Sequence, residues 1–168
     1  MKISTDRILT THVGSLPRPS ALEEMLLAKE KSELDADRNP LLAASVSLAV
    51  LDIVKKQSII GLSVIDDGEM SKYAYSTYAR ERMTGLTGVD QPLALSELAD
   101  FSNFAKRVNL DIKTPACVGP IAYQGEAAVA TDIANLKAAL DMVPVEEAFM
   151  NASSPGIRLW FFATTRSN

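Results

Sequence analysis

A long apolar helix that runs directly into a short apolar strand is the feature that most constrains this chain. Pro40 opens a segment whose apolar residues suit a helix as far as Ile60, and Gly61 supplies a helix stop. The run Leu62–Ile65 that follows is almost continuously apolar, which is typical of a strand buried on both faces of a parallel sheet. The pattern therefore predicts an α/β fold with crossover helices over a parallel sheet.

Further segments extend this alternation along the chain. The residue pattern predicts strands at Ile8–Val13, Pro115–Val118 and Ala148–Asn151, and helices at Ser20–Lys31 and Ile133–Met142. Ser20 and Glu23 have the spacing of a capping box, and Thr131-Asp132 is a second candidate cap. Residues 73–113 predict a long excursion with a helix and a β-hairpin. Four strands in this order predict either a small open sheet or half of a (β/α)₈ TIM barrel, which needs about 250 residues when complete.

Composition excludes several classes of function. A net charge of −4 argues against a nucleic-acid or anionic-membrane surface, because phosphates demand clustered Lys and Arg. Cys117 is the only cysteine, so no internal disulfide is possible and a reducing compartment is expected. The N-terminal residues lack the apolar core of a secretory signal, and the apolar segment 41–51 is too short and too polar to span a bilayer. We therefore expect a cytoplasmic protein with neither nucleic-acid nor membrane partners.

Three groups of polar residues follow predicted strands, at 12–18, 66–72 and 117–120. Ligands of parallel α/β folds bind beyond the carboxyl ends of the strands, so these groups are expected to converge on one face. Gly14-Ser15 offers free N–H groups and a hydroxyl to a carboxylate, although a plain strand-ending turn explains it more simply. In Asp66-Asp67-Gly68-Glu69, Glu69 is a candidate for binding an ammonium and Asp66 or Asp67 for orienting a neighbour. A solvated Asp-Gly turn explains that cluster equally well.

Other reactive residue types carry weaker signals. His12 is the only histidine and lacks partners at metal-ligand spacing, which favours a structural role or a supporting role beside the site. Cys117 lies in an apolar context that favours a small buried residue over a nucleophile. Four basic residues could contact a polyanionic substrate, although basic side chains more commonly lie on the solvated surface. They are Arg18, Lys72, Arg80 and Arg82. Residue types alone therefore indicate an α/β site of open specificity.

Four motifs, in order along the chain, narrow this interpretation. They are Thr10–Pro19 (TTHVGSLPRP), Lys56–Lys72 with its Asp-Gly-Glu, Cys117-Val118-Gly119-Pro120, and Phe149–Gly156 with its Ala-Ser-Ser-Pro-Gly. Together they resemble the catalytic barrel of the cobalamin-independent methionine synthase family, from about Ile8 to Gly156. The resemblance implies transfer of a methyl group from methyltetrahydrofolate to the thiol of homocysteine, in a protein of methionine biosynthesis.

The resemblance also implies roles for individual residues. The loop Val13-Gly14-Ser15 would hold the polar end of the amino acid, and Glu69 would bind it too, through its ammonium. His12 and Asp67 would stand beside that site in supporting roles. In the family a zinc ion binds the thiol and lowers its pKa, so that a thiolate attacks the methyl group. The zinc ligands of the family lie in the second half of the barrel and are a His, a Cys, a Glu and a further Cys. His12 and Cys117 do not match these ligands. No metal ligand is therefore expected in this chain.

The end of the sequence departs from the family. We expect residues 1–156 to be the N-terminal half of the barrel and residues 157–168 to be an atypical tail, as in a truncated or frame-shifted product. Such a fragment would be inactive alone, and its open sheet edges would invite self-association. Alternatives are alkyl transfer to another small thiol such as coenzyme M, and a non-catalytic binding remnant. A uroporphyrinogen decarboxylase-like barrel is disfavoured, because its arginine-rich opening is absent.

Overall fold

The computed structural model describes residues 2–92, 100–104 and 113–152. The chain divides into two compact units, the first formed by Met1–Tyr73 with Ala127–Ala152, the second containing Ala74–Glu126. In chain order the helices are α1 (Ser20–Glu30), a 3₁₀ turn (Ala36–Arg38), α2 (Asn39–Ile59), α3 (Tyr75–Arg82) and α4 (Glu126–Leu140); the strands are β1 (Val64–Ile65), β2 (Leu86–Pro92), β3 (Lys113–Cys117) and β4 (Glu147–Ala148).

Helix α2 is the centre of the first unit. Its buried side chains recur at helical spacing and are Leu42, Val46, Ala49, Val50, Ile53, Val54 and Gln57. The opposite face is open, since Leu48 is 63% and Ile59 is 83% exposed. The helix thus buries one face and exposes the other. Gly61 ends the helix with φ +86°. The N–H of Leu62 donates to the carbonyl of Gln57 at 3.1 Å, and the N–H of Gly61 donates to the carbonyl of Ser58 at 3.0 Å.

The core of the first unit joins three helices to the strand end. Leu22, Met25 and Leu26 of α1 and Leu136 and Ala139 of α4 cluster with the buried face of α2, with Ile65 of β1 and with Met70. Full burial of one such aliphatic side chain contributes roughly 1.5–3 kcal/mol. This packing fixes the loop after β1, because Ile65 is completely buried immediately before that loop begins.

A small parallel sheet lies against this core. Strand β1 pairs in parallel with β4, in the register Val64 to Glu147 and Ile65 to Ala148. On the other side, Thr11 forms a parallel bridge with Val64, and the carbonyl of Thr10 accepts hydrogen bonds from the N–H groups of residues 63 and 64. The carboxyl ends of three parallel segments therefore meet at one edge.

The predicted fold class, the first four units of a (β/α)₈ barrel, is wrong. In the described ranges the parallel sheet has two strands and one added bridge, and it does not close. The strand predicted at Pro115–Val118 is β3, which is antiparallel to β2 and belongs to the second unit. A parallel strand needs a crossover that carries the chain back over the sheet. Here β3 pairs antiparallel with β2 in a sheet of its own, so among the described residues it is not a strand of the parallel sheet of β1 and β4.

Several element boundaries also differ from the sequence predictions. The side chain of Ser20 forms no cap; the carbonyl of Pro19 accepts the N–H groups of Leu22 and Glu23 at 3.0 Å instead. Helix α4 begins at Glu126, so Thr131-Asp132 lies inside it, and β4 begins at Glu147 rather than at 148. Of the helix and the β-hairpin expected within 73–113, the helix is present as α3 and one strand as β2, whose antiparallel partner β3 begins only at Lys113. The predicted boundary at residue 156 and the tail 157–168 lie outside the described residues.

Helix length and polarity bear on the membrane question. None of the helices in the described part of the chain is both long enough and apolar enough to cross a bilayer.

Candidate functional site

The loop that leaves β1, residues 66–72, packs against the segment that leaves the Thr11 bridge. The N–H of Leu16 donates to the carbonyl of Gly68 at 3.0 Å. One residue earlier, the hydroxyl of Ser15 donates to Glu69 Oε2 at 2.6 Å. Backbone and side chain thus join two loops that are far apart in sequence, at the carboxyl edge of the parallel sheet.

The backbone of the acidic loop is held in a rare conformation. Gly68 and Glu69 are both left-handed, with φ +59° and +56°. A left-handed residue other than glycine costs roughly 1–2 kcal/mol. Side chains of the same loop oppose that cost, since Asp66 Oδ1 accepts the N–H of Gly68 at 2.8 Å and Asp67 Oδ1 accepts the N–H of Glu69 at 3.1 Å. The cluster of aspartates therefore shapes the loop that presents Glu69.

The side chain of Arg18 binds two backbone carbonyls of the same loop. Its Nη2 donates to the carbonyl of Glu69 at 3.0 Å and also to the carbonyl of Lys72. The guanidinium therefore binds backbone carbonyls, and the sequence interpretation of Arg18 as a contact for a polyanion gains no support from this geometry.

Two buried carboxylates share one amide at the centre of the site. Asp66 is completely buried and Glu69 is 2% exposed. Asn151, which follows β4, directs Nδ2 to Glu69 Oε1 at 3.2 Å and to Asp66 Oδ2 at 3.4 Å. Burial raises the pKa of Asp66 above its ordinary value of 3.8, and the neighbouring charge of Asp67 raises it too. The Gly68 N–H, His12 and Asn151 act on that pKa in the opposite direction.

A buried ion pair stands beside these carboxylates. Lys72 Nζ lies 3.4 Å from Asp67 Oδ2, and the two side chains are 2% and 3% exposed. The same Nζ also donates to the backbone carbonyl of Asn151 at 3.4 Å. The sequence interpretation of Lys72 as a solvated surface residue is therefore wrong, and its interpretation as a polyanion contact gains no support from this geometry. The lysine offsets one of the three carboxylates and ties the β1 loop to the end of β4.

The Gly-Ser loop is the more open side of the site. Val13 is 68% exposed, and Gly14 has φ +99°, a conformation that favours glycine. His12 Nε2 lies 3.0 Å from the carbonyl of Gly14, so this nitrogen carries the proton that it donates. His12 thus supports the turn that positions Ser15.

Residues 117–120, the third predicted group, belong to the second unit. Cys117 belongs to the second unit and is partly buried, with Sγ 3.6 Å from the carbonyl of Gly119. Arg82 of the same unit is buried, lies 4.3 Å from the centroid of the Tyr78 ring and donates to the carbonyl of Gly125. These contacts give Arg82 a structural role within its own unit.

The zinc ion that the family resemblance implies does not fit the described residues. They contain no group of three or more His, Cys, Asp and Glu placed to hold a metal ion. The single histidine and the single cysteine of the chain also belong to different units.

Two residues of the site were not identified from sequence. Gln57 is 2% exposed, and its amide donates to the carbonyl of Asp66 at 2.8 Å while accepting the N–H of Asp66 at 3.2 Å. A polar residue on the buried stripe of α2 is the signal that would have found it. Asn151 lies three residues beyond the end of β4 at Ala148, and a polar residue soon after a strand end is the signal that made Glu69 a candidate.

Fold and site together define an α/β protein with a polar site beyond the carboxyl ends of parallel strands. No protein-family model matches the chain, and no curated protein matches its sequence. Among solved structures it is similar to a B12-independent methionine synthase from Shewanella sp. W3-18-1, solved in complex with selenomethionine, with a TM-score of 0.63 and 19% identity over 93% of this chain. The chain spans 40% of that protein's length. At this identity the likeness is one of fold alone.

Proposed function

We propose that this chain carries the amino-acid-binding site of a methionine synthase-like methyltransferase, with homocysteine as the thiol substrate. The observation that carries the proposal is the 2.6 Å hydrogen bond from Ser15 to Glu69, which joins a Gly-Ser turn and a carboxylate in one site. A turn with N–H groups and a hydroxyl suits a ligand carboxylate, and Glu69 suits an ammonium. The selenomethionine bound to the similar solved protein is itself an α-amino acid.

Binding in this proposal exchanges one hydrogen bond for two. The Glu69 carboxylate is only 2% exposed, whereas Ser15 is on the exposed side. A ligand ammonium therefore replaces the Ser15 hydroxyl on Glu69. The released hydroxyl then donates to the carboxylate of the same ligand. Val13 and Gly14 contribute the backbone of that second contact.

The chemical step is assigned only in part. Methyltetrahydrofolate is the proposed methyl donor, by family resemblance. The described residues contain no group of three or more side chains that could hold a zinc ion, so this part of the chain offers no metal site to activate the thiol. We therefore propose that residues 1–156 bind and orient the amino acid, and that the chain alone does not turn over. No role is proposed for residues 157–168.

An alternative acceptor is a small anionic thiol such as coenzyme M. The charges of the site oppose it, because Asp66, Asp67 and Glu69 outnumber the cations Lys72 and Arg18 that contact the loop. A negatively charged ligand without an ammonium would meet an excess of carboxylates. A non-catalytic remnant is the other alternative, and it predicts a folded chain without affinity for any of these thiols.

Calorimetric titration with matched ligands tests the proposal. L-homocysteine is compared with mercaptobutyrate, which is homocysteine without its amine, on the wild type and on Glu69→Gln. We expect the variant to lose about tenfold or more in affinity for homocysteine, because a charged hydrogen bond contributes about 1.5–3 kcal/mol. Its affinity for mercaptobutyrate should not fall. Glu24→Gln, an exposed position on α1, is the control.

Each other outcome counts against the proposal. Equal losses for both ligands would remove Glu69 as the ammonium partner. Tighter binding of coenzyme M than of homocysteine would favour the anionic thiol. A cooperatively folded wild type that binds none of the thiols would favour the remnant.

A further inference from the structure

Asn151 has contacts that the proposed function does not require but that determine how its central carboxylate is held. The residue follows β4, whose pairing with β1 carries the chain back to the loop of Glu69. The carbonyl of Ile65, at the end of β1, accepts the N–H of Phe149 at 3.0 Å, which fixes the backbone two residues before Asn151. The side chain of Asn151 therefore arrives at the site from a rigid element.

The contacts of Asn151 divide between its backbone and its side chain. Its backbone carbonyl accepts from Lys72 Nζ at 3.4 Å. Its side-chain Nδ2 lies 3.2 Å from Glu69 Oε1 and 3.4 Å from Asp66 Oδ2. Carboxylates accept hydrogen bonds and the amide NH₂ group has two N–H donors, so chemistry fixes which end of the amide faces the two acids.

We propose that Asn151 is a positioning residue, whose amide holds the carboxylates of Glu69 and Asp66 apart and keeps Glu69 in one orientation towards a ligand ammonium. Two carboxylates that approach one another repel, and a neutral double donor between them stabilises both charged forms. Ser15 fixes Oε2 of Glu69 and Asn151 fixes Oε1. The ammonium role of Glu69 rests on the proposed function; the placement of the two carboxylates by Asn151 does not.

Asp66 reports on this contact without any ligand. The groups that face it are the amide of Asn151, the N–H of Gly68, the charge of Asp67 and the ring of His12. The Asn151 hydrogen bond lowers the pKa of Asp66, against the larger effect of burial. Removal of the amide should therefore raise the pKa of Asp66 further.

The experiment is a carboxyl carbon NMR titration of Asp66 in the wild type, Asn151→Ala and Asn151→Asp, with homocysteine affinity measured on the same samples. We expect Asn151→Ala to raise the pKa of Asp66 and to weaken homocysteine binding about tenfold. Asn151→Asp should raise that pKa more, because it adds a further acid in place of the donor. Asn135→Ala, which alters an amide that accepts from Ser47 on α2, is the control and should change neither.

A purely structural role gives a different result. The backbone contact with Lys72 survives every substitution, so a role limited to tethering predicts no change in the titration of Asp66, and that result would overturn the proposal. If the variants do not fold, the side-chain amide protons of wild-type Asn151 should shift with the same midpoint as the Asp66 carboxyl, and a flat response would overturn it equally. A wild type that binds no homocysteine would refute the proposed function and leave the Asp66 titration to decide the role of Asn151.

Discussion

The hydroxyl of Ser15 donates a 2.6 Å hydrogen bond to Glu69, from a loop 54 residues earlier in the chain. Under the proposed function, this hydrogen bond would break when an amino acid binds. In the proposed binding mode, Ser15 donates to Glu69 when no ligand is bound and to the ligand carboxylate when a ligand is bound. The Ser15 hydroxyl would therefore compete with the ligand ammonium for Glu69, so Ser15 would affect the selectivity among ligands more than the affinity.

Ser15→Ala should alter ligand preference. For homocysteine the variant loses one hydrogen bond in the free state and one in the complex, so affinity should change little. Aminopropanethiol, which is homocysteine without its carboxylate, loses nothing in the complex and should bind up to about tenfold more tightly. Calorimetry on both ligands measures the ratio. Ser47→Ala on the exposed face of α2 is the control, and a ratio equal to that of the wild type would contradict the exchange.

Gln57→Leu should destabilise the first unit. The variant leaves the buried N–H and C=O of Asp66 without the amide that now binds both. Each unsatisfied buried group costs about 1–3 kcal/mol, so we expect the two groups to lower the free energy of unfolding by roughly 2–6 kcal/mol. Urea denaturation followed by circular dichroism measures it. Gln124→Leu, at an exposed glutamine, should cost little, and an equally small loss at Gln57 would contradict the assigned role.

The pair of Lys72 and Asp67 calls for a double-mutant cycle. Lys72→Met alone leaves the Asp67 carboxylate buried without its cation and should cost about 3–5 kcal/mol. Adding Asp67→Asn should recover part of that loss, because the uncompensated charge is removed. Urea unfolding of the four proteins gives the coupling, with Lys31→Met as an exposed control. Strict additivity of the two single losses would mean that the two side chains do not interact.

Glu146 should give the chain a pH-dependent stability at its N-terminal side. Its hydrogen bond with Lys2, then the charge of Lys2 and the contact with Arg7, lower the pKa of Glu146 below 4.5. A carboxyl whose folded-state pKa is lowered stabilises the fold above its unfolded value, and that contribution disappears as the pH falls through the lower folded value.

The measurement compares melting temperatures of the wild type and Glu146→Gln. The wild type should be the more stable at neutral pH, with the difference vanishing in acid and shrinking in high salt, because the pair is exposed. Glu23→Gln on α1 serves as control. A difference that persists well below pH 4.5 would rule out the ion pairs as its source.

Metal content should be low. The chain has one histidine and one cysteine, and the described residues offer no three-residue group for a metal ion. Elemental analysis of purified chain, after dialysis against buffer with zinc, should give well under one zinc per chain. One tightly bound zinc per chain would contradict the proposed lack of a thiol-activating group.

The sequence predicted local features better than pairing. Helix α2, its stop at Gly61 and the buried strand after it follow from periodicity and from one left-handed glycine, both of which are local. The parallel placement of residues 115–118 was wrong, because strand direction depends on which distant segment pairs with them. Glu69 and Ser15 were predicted from strand ends. The side-chain contacts of Lys72 and Gln57 were not, because burial of a polar residue is decided by the partner that tertiary packing brings to it.

The left-handed backbone of Glu69 matters for any attempt to raise the thermal stability of this chain. At φ +56° glycine is the residue whose backbone is strained least, and the preceding Gly68 is confined by Met70 and Ile53, whose side chains lie 3.0–3.2 Å from where its Cβ would be. A library screened only for thermal resistance should therefore collect substitutions at residue 69 and none at residue 68. The selected variants would be more stable but would lack the Glu69 carboxylate, so thermal stability would increase at the expense of ligand recognition at this one position.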